Sequence, residues 1–223
     1  MTARLLSINV GTPFEAEWAG DLRRTAIKKH SVTGPVHVHE LGIDGDQVAD
    51  TKHHGGTYQA VYAFAREDID AWVERLGMPI ANGQFGENLT TSGIDVNEAL
   101  IGEQWRIGTT VVQVADVRIP CNVFKGWMGL SGYDDTGWVK RFTLEGRPGP
   151  YLQVVQPGVI TTGDEIEVVH KPDHAITVTT MFRAFTTDRD LLPRLLDAGD
   201  DIPPKPRAKA AEYAVRTGAV ARP

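Results

Sequence analysis

The sequence predicts a mainly β fold: a barrel-like domain carrying a few helices over residues 1–171, then a small helical appendage over residues 172–223. Three observations predict it. Short apolar or alternating runs recur along the chain, each stopped by glycine or proline, which is the pattern of many short strands. An all-parallel α/β sheet needs a helix after nearly every strand, and the pattern lacks those helices. Past His170-Lys171-Pro172-Asp173 the apolar spacing turns helical.

Each element has its own local reason. Residues 5–10 form an apolar run ended by Gly11-Thr12-Pro13, a strand stopped by turn chemistry. Residues 36–39 alternate apolar and polar side chains, as a half-buried strand does. Residues 58–64, rich in aromatic and β-branched side chains, read as another strand. Ile69, Trp72, Val73 and Leu76 share one helical face. Glu67, Asp68 and Asp70 suit that helix's positive start, and Gly77 its end. Residues 103–107 and 111–117 flank Gly108-Thr109-Thr110 at hairpin spacing. Residues 151–155 and 165–169 are two further strands around Gly158 and Gly163. The appendage holds three helical pieces: Val178, Met181, Phe182 and Phe185; then Leu191, Leu192, Leu195 and Leu196; then residues 205–216. Thr187 or Asp190 is the expected cap of the second, Pro193 fits only its first turn, and Pro203-Pro204 separates it from the third.

Composition narrows the function classes. A hydrophobic content of 41% supports a real core, and a net charge of −6 disfavours nucleic acid or an anionic membrane as partner. One cysteine permits no intrachain disulfide, so a reducing, cytoplasmic setting is expected. No signal-peptide pattern opens the chain, and no apolar run approaches the ~20 residues of a membrane helix.

Four constellations carry candidate chemistry. Cys121 follows Arg118-Ile119-Pro120 at a strand end, where a φ-restricted proline can present a thiol rigidly to a pocket. Arg118 and Lys125 are cations of the kind that favour a thiolate, the form that ligates metals or attacks sulfur. The plain alternative is a small buried hydrophobe. The segment Gly45-Asp46-Gln47-Val48-Ala49-Asp50-Thr51-Lys52-His53-His54-Gly55-Gly56 offers flexible backbone N–H groups to an anion, or is a turn stiffened by its aspartates. Its spacing matches no zinc pattern. Phe85-Gly86-Glu87-Asn88-Leu89-Thr90 supplies hydrogen-bonding groups for a heterocycle, or ties a loop to the next strand. Arg147, with Arg141 nearby, and the trio Thr25, Lys28 and Lys29 suit a phosphate, or are solvated surface groups. A Cys–His dyad of Cys121 with His53 or His54 is conceivable. No nucleophile elbow, P-loop or dinucleotide-binding glycine motif occurs.

In order along the chain, these pieces resemble the signature of MOSC domains, the C-terminal domains of molybdenum cofactor sulfurases. The residues that carry the resemblance are Gly45-Asp46, Asp50 and His54-Gly55-Gly56; Phe85-Gly86-Glu87-Asn88-Leu89; Ile101-Gly102-Glu103; and Arg118-Ile119-Pro120-Cys121. Thr25-Ala26-Ile27-Lys28-Lys29 and Gly34-Pro35-Val36 are similar to the family's early segment, and Gly146-Arg147 before Tyr151-Leu152 to its late one. The resemblance covers roughly residues 1–170, and the remainder is similar to the three-helix appendage of the stand-alone bacterial branch, the 6-N-hydroxylaminopurine resistance proteins.

The resemblance implies a β-barrel-like domain that binds the pterin-based molybdenum cofactor, with Cys121 as thiolate ligand to the metal. It implies reduction of N-hydroxylated compounds such as N-hydroxylated purine bases. Lys29, Arg118 and Arg147, with the turn at Gly55 and Gly56, become candidates to neutralise the cofactor phosphate; His54, Glu87 and Asn88 become candidates for pterin or substrate contacts. The pyridoxal-phosphate domain of the sulfurases has no counterpart, so pyridoxal phosphate is not expected. With no iron–sulfur cysteine cluster and no flavin motif, electrons are expected from a separate reductase, ferredoxin or flavoprotein. A homodimer is compatible with the chain. Two alternatives stay open: a sulfur carrier holding persulfide sulfur on Cys121, and a non-catalytic cofactor-storage module whose tail recruits partners.

Overall fold

The computed structural model describes residues 2–52 and 54–219. In chain order the strands are β1 (Arg4–Val10), β2 (Phe14–Glu15), β3 (Arg24–Thr25), β4 (His30–Val32), β5 (Val36–His39), β6 (Gly42–Ile43), β7 (Val61–Ala65), β8 (Leu89–Ser92), β9 (Gln104–Ile107), β10 (Thr110–Val117), β11 (Pro150–Gln156), β12 (Gly158–Ile160) and β13 (Ile166–His170). The α-helices are α1 (Arg66–Leu76), α2 (Asn122–Leu130), α3 (Trp138–Glu145), α4 (Val178–Phe185) and α5 (Pro204–Thr217).

Eight strands make one mixed sheet in the order β13-β9-β10-β11-β7-β8-β1-β4. Its neighbours are antiparallel except β7 and β8, whose parallel pairing uses α1 as the crossover. The sheet curls until β1 meets β13. Arg4 bridges Glu165, and the Leu5 N–H to Asp164 carbonyl and Ile166 N–H to Ala3 carbonyl bonds are both 2.9 Å. That contact gives the barrel-like closure expected from the short-strand pattern and pairs edges that would otherwise stay open. The smaller sheet β12-β5-β6 turns Val36, Val38, Ile43 and Ile160 into the same interior.

Two cores hold the molecule. The barrel interior, around Trp105, Val112, Val114 and Leu152, is continuous with Val178, Met181, Phe182, Leu192 and Leu195 of the C-terminal segment. A second, aromatic core of Phe64, Trp72, Phe85, Phe124, Trp138 and Phe142 packs α1, α2 and α3 against the outside of the sheet. Each such side chain contributes about 1.5–3 kcal/mol on burial. Among the described residues no helix is long and apolar enough to cross a membrane.

The structure departs from the sequence expectation at several elements. The strand expected from residue 58 begins at Val61, because Thr57–Gln59 turn as a short 3-10 helix after Gly56. Helices α2 and α3, absent from the sequence reading, bury Phe124, Trp127 and Met128, and Trp138 and Phe142, at helical spacing. Gly126 and Gly129 dilute that pattern inside α2, and Gly137 stands just before α3. The second tail piece, Arg189–Asp201, is a 3-10 segment kinked at Gly199, with Asp188 rather than Thr187 or Asp190 at its start. Pro193 is accommodated there because a 3-10 run asks for fewer i→i−4 bonds. Thr177 caps α4, its hydroxyl accepting the Thr180 N–H at 3.0 Å.

Candidate functional site

Cys121 stands where β10 turns into α2. After Val117 the chain passes Arg118, Ile119 and the φ-restricted Pro120, and Cys121 takes an extended conformation (φ −132, ψ 174) at the N-cap of α2. The helix is held from behind: Phe124 and Met128 are buried, and Trp127 Nε1 donates to the Gln84 carbonyl at 2.8 Å. The half-buried thiol makes no capping bond and lies at the N-terminal end of the helix.

The thiol opens on a cavity of about 930 Å³, counted with its open mouth. The segment after β3, residues 46–50 with His54 and Gly55, then Gln59, Tyr62, Asn88, the corner that carries Arg118, Ile119, Cys121 and Val123, and Tyr151 form its walls. Arg118 is only 7% exposed, yet among the described residues it has no carboxylate partner. Its guanidinium donates to the Phe85 carbonyl and lies 3.9 Å from the Phe124 ring and 5.1 Å from the Tyr62 ring. Burial opposes its charge, but the Tyr62 and Tyr151 hydroxyls and the Cys121 thiol outweigh that, and its pKa ends above the ordinary arginine value. The same burial pushes Tyr62 up, and Tyr151 up to about 12, so both phenols keep their protons.

A second cation is tied down. Lys29 Nζ lies 2.5 Å from Asp46 Oδ1, with the two side chains 9% and 10% exposed. Asp46 also accepts the Gly11 N–H at 2.7 Å and Asn88 Nδ2 at 2.8 Å. Asn88 in turn ties Tyr62 N–H and the Asn9 carbonyl, so it stiffens the wall it belongs to. Arg24, Lys29 and Arg118 face Asp46 and Asp50 around the cavity, a cationic excess on a chain of net charge −6.

Of the residues singled out from sequence, Lys29, His54, Gly55, Asn88, Arg118 and Cys121 converge on this cavity. Others do not. Gly56 stays off its wall and starts the 3-10 turn. Glu87 is corrected to a structural role: fully buried, it accepts the Gly83 N–H at 2.5 Å, the Thr90 hydroxyl at 2.9 Å and the Phe85 N–H at 3.0 Å. Arg147 is corrected likewise, because it pairs with Asp68 and with Asp95 (2.8 Å) beyond the cavity wall. Lys125 pairs with Asp135 at 3.6 Å, and Arg141 with Asp134 at 2.9 Å. His53 lies outside the described residues. Tyr62, Tyr151 and Gln59, unremarked in sequence, line the cavity. The tyrosines carry only the local signal of a polar tip near a strand start, and Gln59 lies in the 3-10 turn before β7.

Among the described residues no group of three histidine, cysteine or acidic side chains could hold a bare metal ion. The donor set is one soft thiol beside a cationic wall. That set fits a metal delivered with its remaining ligands on an anionic organic carrier, which the molybdenum cofactor is.

A family model for the MOSC domain matches residues 50–167, the stretch that contains His54, Asn88, Arg118, Cys121 and Tyr151. The chain belongs to the MOSC family. Its relatives include the uncharacterized protein YflK of Bacillus subtilis, 31% identical over 174 residues that span 78% of this chain and 76% of YflK. A protein named "Reductase" from Gibberella moniliformis is 29% identical over 172 residues, 75% of this chain but only 29% of that protein. The crystal structure of YiiM from Geobacillus stearothermophilus superposes with a TM-score of 0.77 at 26% identity, covering 95% of this MOSC chain and 98% of YiiM. The likeness therefore runs past residue 167 into the C-terminal helices.

Proposed function

We propose that this MOSC protein is a molybdenum cofactor-dependent reductase of N-hydroxylated compounds, N-hydroxylated purine bases among them, with Cys121 as ligand to the metal. One observation carries the reading: the sole thiol opens on a cavity whose wall holds a buried arginine with no carboxylate partner among the described residues. Membership of a family associated with the molybdenum cofactor, and a relative named as a reductase, support it.

Converting N–OH to N–H and water takes two electrons and two protons. When bound, the molybdenum cofactor supplies a two-electron centre able to accept an oxygen atom. The chain does the rest. Cys121 offers the soft donor, and Arg118 and Lys29 offset the anionic end of the cofactor. Leu22, Val48 and Ile119, exposed at the mouth, present apolar edges to a flat base and crowd out water. Electrons come from a separate reductase, ferredoxin or flavoprotein. The same open thiol suits a second reading, a carrier of persulfide sulfur on Cys121.

The test uses protein made in a molybdenum-competent host. Wild type is expected to retain molybdenum and to reduce 6-N-hydroxylaminopurine with a chemical electron donor, and Cys121→Ala to lose both. Wild type without molybdenum ends the reading. A stable mass gain of one sulfur atom on Cys121 after incubation with a cysteine desulfurase, with no metal, establishes the carrier instead.

A further inference from the structure

Two tyrosines meet in the cavity wall, and they are not equivalent. Gly149, at φ +69, packs where any side chain would strike the Ala63 carbonyl, and this close approach lays the start of β11 against β7. Tyr151 is thereby in register with Tyr62 on one side and Asp116 on the other. The two rings lie 5.2 Å apart at 45°. Tyr62 is satisfied within the protein, its hydroxyl donating to the Pro148 carbonyl at 2.6 Å. The Tyr151 hydroxyl has no hydrogen-bond partner among the described residues, and it is not one of the sealed polar atoms of the interior. It therefore faces the cavity that Cys121 opens on.

The neighbouring neutral donors are engaged elsewhere: Asn88 Nδ2 is bonded to Asp46 and the Asn9 carbonyl, and Gln59 Nε2 to Asp116 at 3.0 Å. Tyr151 presents a neutral O–H, held by its ring packing against Tyr62 and unmatched among the described residues. A neutral donor of this kind suits a neutral acceptor, and the N–O oxygen is what separates an N-hydroxylated base from its parent amine.

We propose that Tyr151 donates a hydrogen bond to the N–O oxygen of the substrate, holding it beside Cys121 and discriminating the N-hydroxylated compound from its reduced product. The proposal rests on the reductase reading above. A hydroxyl that merely fills space predicts no such discrimination.

The experiment compares wild type with Tyr151→Phe, both molybdenum-loaded, in calorimetric titrations without any electron donor so that no turnover occurs. The two probes are 6-N-hydroxylaminopurine and adenine. Tyr151→Phe is expected to keep the wild-type molybdenum content and melting temperature, since no internal bond is lost. Its affinity for the hydroxylated base should fall about tenfold while that for adenine stays put. Tyr62→Phe, by contrast, should melt lower through loss of its bond to Pro148. Unchanged affinity for the hydroxylated base, or equal losses for both probes, overturns the role of Tyr151 and leaves the reductase reading standing. Wild type that binds neither probe overturns both.

Discussion

Replacing Glu87 with leucine removes a carboxylate that no solvent reaches while nearly conserving its volume. Burial pushes the Glu87 carboxyl above the ordinary carboxylate range, although the Gly83, Phe85 and Thr90 donors pull it back. Those three donors lose their acceptor in the variant. An unsatisfied buried donor costs about 1–3 kcal/mol. Part of that is offset because an interior charge is itself expensive to desolvate. We expect a net loss of about 3 kcal/mol, or a melting temperature about 6–12 °C lower for a chain of this size. Thermal unfolding followed by circular dichroism measures it, with molybdenum per folded molecule as the companion readout. The segment carrying Gly83, Phe85 and Gly86 should loosen, yet the folded fraction should still retain cofactor. A variant that melts like wild type but has lost its molybdenum would refute the reasoning and return Glu87 to the binding site.

Two further perturbations test the wall. Lys29→Met leaves Asp46 buried with only the Gly11 and Asn88 donors, and breaking a buried pair from one side costs about 3 kcal/mol or more. Urea unfolding measures it, and a loss under about 1 kcal/mol would show that the pair carries little. At alkaline pH the two cavity tyrosines couple ionisation to unfolding. Unfolded tyrosine gives up its proton near pH 10, whereas Tyr151 holds it to about 12 and Tyr62 is also raised, both through burial. Their contribution to stability is thus complete below about pH 10 and is lost as pH rises through about 12. An ultraviolet titration of the five tyrosines should find two that ionise only near or with unfolding. All five titrating below about pH 10.5 with the fold intact would contradict the burial argument.

What could be read from sequence was what is local. The alternation at residues 36–39, the face formed by Ile69, Trp72, Val73 and Leu76, and the turn at Gly108 each appear as expected, because period and turn chemistry act within a few residues. Helix α2 escaped because its glycines, poor helix formers, answer to neighbours outside the helix. A side chain at Gly126 would press on the Trp18 ring, and one at Gly129 on Asp135. The proline corner before Cys121 was equally local, and the thiol is where that corner implied.

Which charges face the cavity was a different matter. Arg118 and Arg147 look alike in sequence, each near a proline and a glycine-rich or strand-end segment. Arg147 finds its carboxylate 79 residues away at Asp68, while Arg118 is buried against aromatic rings with none among the described residues. Glu87 and Asn88 are adjacent, yet one turns its carboxylate into the loop that precedes it and the other reaches the cavity wall. Tyr62 and Tyr151 become a pair only when β7 and β11 hydrogen-bond. Short-range preference could therefore mark the strands, the first helix and the thiol corner by itself. The partner of each buried charge, and so the identity of the wall, was decided only when segments remote in the chain closed into one sheet and competed for the same few donors and acceptors.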